Sequence, residues 1–565
     1  MAGELTAGGA IFPRLKALGV DYVFANSGTD FPPIIEGLAQ AAARGDDLPQ
    51  ALVIPHEHAA MGMAHGYYLI SGKAQAVMLH TNVGLANGSI GAINAACEHV
   101  PMILMSGKTP VTEQDRFGAR TVPIGWGQEM RDQGALVREA CKWENDLSFP
   151  EQIGPLLDRA HAIANSTPKG PVYLSLPREV LCEPVDASAI SAPPTIQPAT
   201  TGADPTAIAT AADWLAGAQN PLVIAQRGAG DAASFAAFAD WAADWGIPVC
   251  SWWATHLAIA TDHPCHIGPD PGPWLAKADV VVVLDCLAPW WPDKHALNPS
   301  ARVITLGPDP IFHRFPTRTF RSDLTIAAET RDAIPALIAA MQSLTRDDSA
   351  ISARRDRVAQ AAATVRQRAA KAATADTAAG ITKAHVSHCL SGALNDRNSA
   401  VFSELGCFIG PLDRRTHNSY FVEPHSGGLG WSFPAALGAK LADRDRTIVC
   451  TLGDGSYMFA NPTACHQIAE ALDLGIVVLI LNNEEWGAVR NSVTGIYPDG
   501  AAARANQMPL TALKPSPDFC KTAQASRAWT RRVTDPAAVE VAITEALAVA
   551  DTGRLALLDI ATLPG

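Results

Sequence analysis

The chain has 565 residues, with 43 Lys and Arg against 56 Asp and Glu, a formal net charge of −13. That acidic balance excludes broad contact with nucleic acid, which needs a basic face, and no apolar run reaches the roughly eighteen residues that suggest a membrane span. Eleven scattered cysteines without a Cys-x-x-Cys pair suit free thiols in a reducing cytoplasm, and the length predicts about three domains.

The first residues lack the basic and apolar segments of a signal peptide, so a cytoplasmic location is expected. Residues 22–25 form a short apolar strand that runs into Ser27-Gly28-Thr29-Asp30. Residues 52–54 begin a strand predicted to end at Glu57, followed by a helix of small residues opening at Ala59. Residues 77–79 form another apolar strand, ending at His80. A first α/β unit closes near residue 184, and residues 186–205, rich in Ala, Ser and Thr with four prolines, read as a linker. Strands near residues 221–225, 280–284 and 303–306 mark a second unit. Helical, mixed-charge sequence over residues 349–383 leads to a third.

Alternating strands and helices throughout predict an α/β protein of three doubly wound parallel sheets, with domains over residues 1–185, 204–345 and 380–565. In the third, a strand over residues 446–452 runs into Gly453-Asp454-Gly455, a helix is expected over residues 459–474, and a strand over residues 476–481 ends in Asn482-Asn483. Polar oxygens thus stand at the carboxyl ends of two neighbouring strands, where open parallel sheets bind ligands. The Asp454 carboxylate, the Asn483 amide oxygen and the Glu485 backbone carbonyl are hard donors suited to Mg²⁺. Gly453 and Gly455 allow close approach of a diphosphate, and Ser456 offers a hydroxyl. Alone, the Gly-Asp-Gly also reads as a ligand-free turn.

This stretch, Gly-Asp-Gly followed after twenty-six residues by Asn-Asn, resembles the thiamine-diphosphate binding motif. Together with Glu57, the Leu79-His80 segment and Gly427-Gly428-Leu429-Gly430, it identifies the chain as a member of the thiamine-diphosphate-dependent decarboxylase and acetolactate-synthase superfamily, most like benzoylformate decarboxylases. The resemblance implies three domains, binding the pyrimidine, central, and binding the diphosphate. It implies Asp454, Asn483 and the Glu485 carbonyl as Mg²⁺ ligands. Gly453, Gly455 and Ser456 would cradle the diphosphate, Leu429 would support the bent cofactor, and the Gly427 carbonyl would accept its 4′-amino group. Glu57 would hydrogen-bond the aminopyrimidine ring and promote loss of the thiazolium proton. His80 would move protons and Thr29 would hydrogen-bond the substrate. Taken alone, Glu57 also reads as a helix-start residue favoured by the macrodipole, and His80 as an ordinary strand-end histidine. His56, His58 and His65 read as structural.

Several positions depart from the benzoylformate decarboxylase pattern. Pro292 stands where a second histidine is expected, with His295 three residues on. Trp252-Trp253 and Trp290-Trp291 suggest an apolar wall or core, Ser492 replaces a bulky aromatic, and Lys108 stands where acetolactate synthases tend to have glutamine. FAD is a family option in the central domain that no feature here demands. The superfamily places its cofactor between subunits, implying a homodimer at least and a homotetramer by family, with a small carbonyl substrate and neither nucleic acid nor membrane as partner. The expected reaction is non-oxidative decarboxylation of a 2-oxo acid. Carbon–carbon ligation or cleavage is the rival, as in acetolactate synthases, acyloin lyases or 2-hydroxyacyl-CoA lyases. A catalytically silent cofactor-binding paralogue has no chemical need for Glu57.

Overall fold

The computed structural model describes residues 5–374, 379–505 and 507–564. Residues 1–4, on which part of the signal-peptide reading rests, lie outside them. Three wholly parallel sheets organise the chain. The first, in spatial order β2-β1-β3-β4-β6-β5, comprises β1 (Tyr22–Ala25), β2 (Gln50–Val53), β3 (Gln75–Leu79), β4 (Met102–Lys108), β5 (Glu144–Asp146) and β6 (Pro171–Pro177).

The second, in order β11-β10-β9-β7-β8, comprises β7 (Pro221–Ala225), β8 (Val249–Cys250), β9 (Val280–Leu284), β10 (Arg302–Gly307) and β11 (Leu324–Ala327). The third, in order β13-β12-β14-β15-β17-β16, comprises β12 (Ser399–Glu404), β13 (Tyr420–Val422), β14 (Thr447–Gly453), β15 (Val477–Asn482), β16 (Trp529–Val533) and β17 (Ala556–Ala561). Strands covered on both faces become unbroken apolar runs, and every residue of β3, β7, β9 and β15 is buried.

The described chain packs as two compact units. One gathers residues from 1–199, 424–445 and 459–474, and the other takes 200–423, 446–458 and 475–565. In the first unit, the helix Glu57–Ser71 lies against the helix Ser432–Ala442 backbone to backbone. Glycines permit the approach: a Cβ on Gly66 would stand 1.9 Å from the Ala435 carbonyl oxygen, and one on Gly438 1.9 Å from that of Met63. In the second unit, Arg354 of the long helix Asp348–Thr374 donates to the carbonyls of Trp245 and Ala218. It thereby closes the carboxyl ends of two helices with a buried guanidinium.

Two local expectations are corrected. The strand read as ending at Glu57 stops at Val53, because the chain turns at Pro55 and Glu57 becomes the first residue of a helix that follows His56. The helix read over residues 459–474 is two helices, Asp454–Phe459 and Pro462–Ala471. Asn461 takes a left-handed φ of 53° and Pro462 starts the second helix, where its fixed φ and missing N–H cost nothing.

No helix among the described residues is long and apolar enough to cross a membrane. All eleven cysteines are free.

The helix contact yields paired expectations. Gly66→Ala forces a methyl into a carbonyl and should destabilise the protein by about 2 kcal/mol or more. Gly392→Ala, on the helix Lys383–Ala393 where a Cβ meets nothing within 4 Å, should be neutral or stabilise by about 0.5–1 kcal/mol. Thermal unfolding of the two variants beside the parent measures both signs.

Candidate active site

The Gly-Asp-Gly turn leaves β14, and the two asparagines end and follow β15. Gly453 pairs with Leu481 across these strands, so Asp454 and Asn483 emerge on neighbouring strand ends. Asp454 is 3% exposed and its Oδ1 accepts the Gly455 N–H at 2.9 Å, while Oδ2 is sealed from solvent without a hydrogen-bond partner. Burial pushes its carboxyl up to about 6, against the pull of the Gly455 and Glu484 amides. The Ser456 hydroxyl is likewise buried without a partner.

Trp486 closes over the turn, and a Cβ on Gly455 would stand 2.3 Å from its ring. The Glu485 side chain is held bidentately by Arg490 at 2.6–2.8 Å, which leaves only its backbone carbonyl as a donor. That carbonyl already accepts the Gly487 N–H at 2.9 Å and keeps a second lone pair. Asn482 is turned inward, donating to Asp559 at 3.0 Å and Ser516 at 3.2 Å.

An orphaned buried carboxylate oxygen and an orphaned hydroxyl beside a glycine turn fit a divalent cation with its diphosphate. Among the described residues no group of three or more His, Cys, Asp and Glu could hold a metal, as expected for a set of one carboxylate, one amide and one carbonyl.

In the first unit, Gly427 has a left-handed φ of 70° and its N–H returns to the Pro424 carbonyl at 3.0 Å, leaving the glycine exposed. Leu429 is half-buried. Asn94, deep in the helix Thr81–Cys97, holds this loop: its Nδ2 donates to the Gly428 carbonyl at 2.9 Å and its Oδ1 accepts from Ser426 at 2.6 Å. His58 is buried, and desolvation pulls its imidazole down to about 4. His65 meets Trp431 edge to face at 5.4 Å. These histidines pack the loop against the helix that starts at Glu57. Glu57 is half-buried and its Oε2 accepts from Asn87 at 3.2 Å.

His80 sits at the N-cap of the next helix, beside a strained Thr81 with φ 44°. Its Nδ1 meets Asp30 Oδ1 at 2.5 Å, and its Nε2 lies 3.1 Å from the Gln128 amide. Asp30 is 4% exposed and its Oδ2 has no partner. Two glycines make room for the pair: a Cβ on Gly28 would overlap the imidazole, and one on Gly107 would overlap the Asp30 carboxylate. The hydrogen bond to Asp30 raises the imidazole pKa above its ordinary 6.5, overcoming desolvation. Thr29 is exposed on the rim of the small cavity that Asp30, Thr81 and Gln128 also line, and its carbonyl accepts from Arg178 at 3.2 Å. Asp30, Gln128 and Asn94 escaped the sequence reading. Gly28 and Gly107 were the available signals, each too close to a neighbour to carry a side chain.

The departures find places too. His295 packs edge to face on Trp252 at 4.8 Å, its Nδ1 accepting the Trp291 N–H at 3.1 Å. Trp290 is core, whereas Trp253 and Trp291 are 63% and 47% exposed. Lys108 pairs with Asp146 and lines a charged cavity of about 270 Å³ with Arg131, Asp132, Arg138 and Glu144. At the carboxyl end of β7, Gln226 ties down Trp252, Leu287 and Ala288, and Arg227 lies over Phe312.

Three profiles of the thiamine pyrophosphate enzyme family match the chain: the N-terminal binding domain over residues 5–136, the central domain over 208–337 and the C-terminal binding domain over 406–560. The chain belongs to this family and is a thiamine-diphosphate-dependent enzyme. It is 28% identical to a probable 2-ketoarginine decarboxylase of Pseudomonas aeruginosa, over 91% of this chain and 87% of the relative. It is 25% identical to the benzoylformate decarboxylase of the same organism, over 86% and 87%. A 4-hydroxybenzoylformate decarboxylase of Rhodococcus jostii superposes with a TM-score of 0.79 at 21% identity, covering 99% of both chains, which shows the shared fold.

A group whose pKa rises on folding stabilises the protein below its unfolded pKa and loses that contribution as pH climbs through the folded value. His80 should therefore add stability below about pH 6.5 that fades at higher pH. Asp30→Asn should lower the His80 pKa and flatten this part of the stability profile, as read by imidazole NMR titration and by melting across pH.

Proposed function

We propose that the chain decarboxylates a 2-oxo acid without oxidation, releasing carbon dioxide and an aldehyde. The observation that carries this reading is the His80–Asp30 pair. Decarboxylation to an aldehyde needs a proton at the former acyl carbon, and the buried Asp30 carboxylate 2.5 Å from the imidazole favours the protonated histidine that can donate it. Ligation instead passes the acyl group to a second carbonyl. The two relatives carry the names of 2-ketoarginine and benzoylformate, both 2-oxo acids.

Thiamine diphosphate, when bound, supplies the carbon nucleophile and the electron sink. Asp454, Asn483 and the Glu485 carbonyl hold Mg²⁺, while Gly453, Gly455 and Ser456 receive the diphosphate. Gly427 and Leu429 seat the rings, and Glu57 hydrogen-bonds the aminopyrimidine. Thr29 orients the substrate carboxylate from the rim, and His80 delivers the proton, with Asp30 positioning its ring. Glu57 and Asp454 belong to different compact units, and we assign the working site to a homodimer at least, with one copy supplying Glu57 and the other Asp454. Free thiols throughout suit a cytoplasmic enzyme.

Carbon dioxide release with thiamine diphosphate and Mg²⁺ should appear for at least one member of a 2-oxo acid panel and fall by about 100-fold or more in Glu57→Gln. Acyloin formation without free aldehyde would move the reading to ligation. Mixing Glu57→Gln with Asp454→Ala after subunit exchange should restore about a quarter of parental activity, since half the dimers are mixed and each holds one intact site. Recovery of nothing from demonstrably mixed dimers would place both residues of a site on one chain.

A further inference from the structure

Lys383 is the first residue of the helix Lys383–Ala393, whose N-cap Thr382 accepts the His385 N–H at 3.1 Å. The preceding Ile381 bridges to Thr562 just beyond β17, and its carbonyl accepts the Leu563 N–H at 2.8 Å. The lysine therefore starts from a fixed point. Its ammonium donates to the Leu405 carbonyl at 2.8 Å, just past the end of β12. Leu405 has a left-handed φ of 57° and bridges to Leu452 of β14, two residues before Asp454. The connection is tight: a Cβ on Gly406 would stand 2.4 Å from the Thr451 carbonyl carbon, and the Cys407 N–H donates to Thr451 Oγ1 at 3.1 Å.

An ammonium has three donors, and among the described residues Lys383 has one hydrogen-bond acceptor and no carboxylate within ion-pair distance. Burial pulls its pKa down, opposed by the more distant charges of Asp454 and Glu423. Anchoring a carbonyl does not require a charge, and half-burying an ammonium with spare donors is unfavourable until an anion arrives. With Mg²⁺ at Asp454, Lys383 would face a like charge unless phosphate oxygens stood between them.

We propose that Lys383 is a direct ligand of the cofactor's diphosphate, donating to phosphate oxygens from the β12 side while Mg²⁺ holds them from the β14–β15 side. The assignment rests on the thiamine-diphosphate reading of the Asp454 site and adds a cation that the Gly-Asp-Gly motif does not contain.

Cofactor affinity tests it without turnover, through quenching of tryptophan fluorescence, because Trp486 packs on Gly455 beside the site. Titrating thiamine diphosphate and inorganic pyrophosphate, each with Mg²⁺, into Lys383→Met should show affinities weakened by about 10- to 100-fold for both. Binding of unphosphorylated thiamine should match the parent, and Lys383→Arg should recover most of the loss. Equal melting temperatures of parent and Lys383→Met without ligand show that the fold is intact. Thiamine diphosphate binding within twofold of the parent overturns the proposal, including when the substrate KM rises instead and assigns the ammonium to the substrate carboxylate. Failure of the parent itself to bind thiamine diphosphate with Mg²⁺ overturns it together with the Asp454 reading, whereas parental binding abolished by Asp454→Ala keeps that reading independent of Lys383.

Discussion

Backbone-to-backbone contact between the helices Glu57–Ser71 and Ser432–Ala442 sets much of what surrounds the candidate site in the first unit. Helices ordinarily keep their axes 8–10 Å apart because side chains stand between them. Here Gly62, Gly66 and Gly438 remove those side chains: carbonyl oxygens lie where methyl groups on Gly66 and Gly438 would be, and the Pro434 ring lies where one on Gly62 would be. One helix begins with Glu57 and the other follows the Gly427–Leu429 loop within a few residues. His65 of the first helix packs on Trp431 beside the loop, and Asn94 of the helix Thr81–Cys97 ties the loop down by hydrogen bonds.

The second unit meets a different constraint, the cost of unpaired polar atoms in a dry interior. Asp454 Oδ2 and Ser456 Oγ are buried without partners at one strand end, while Asn482, one residue before Asn483, is fully engaged by Asp559, Ser516 and the Glu484 N–H. Adjacent asparagines thus divide the work. Asn482 knits the sheet end together, whereas the Asn483 Oδ1 accepts the Glu485 N–H at 3.3 Å. The bidentate hold of Arg490 on Glu485 has a similar effect, withdrawing a carboxylate that could compete for a cation.

Much of this was legible in the sequence because its signals are local. Parallel strands covered on both sides must be apolar throughout, so Val280–Leu284 and Val477–Asn482 are visible within a residue or so. Gly-Asp-Gly and the asparagines carry their chemistry in short stretches. Asp30 was illegible for the opposite reason: next to Gly28 and Thr29 it looks like turn punctuation, and only the fold brings His80, fifty residues on, to its carboxylate. Asn94 gives no signal within a helix of small residues, since its partners lie more than 330 positions away. The break at Asn461-Pro462 was a readable Asn-Pro signal that a continuous helical pattern across residues 459–474 overrode.

The way the first unit is assembled bears on how the chain is made. It draws on residues 1–199 and again on 424–445 and 459–474, so its packed interior cannot close until most of the polypeptide has been synthesised. During translation the helix Glu57–Ser71, buried along nearly its whole length in the finished protein, waits for a partner almost four hundred residues downstream. Long-range closures of this kind are slow and leave apolar surface uncovered. The nascent N-terminal segment is therefore a natural client for chaperones, and its contacts with the late segments reward only chains that have been completed.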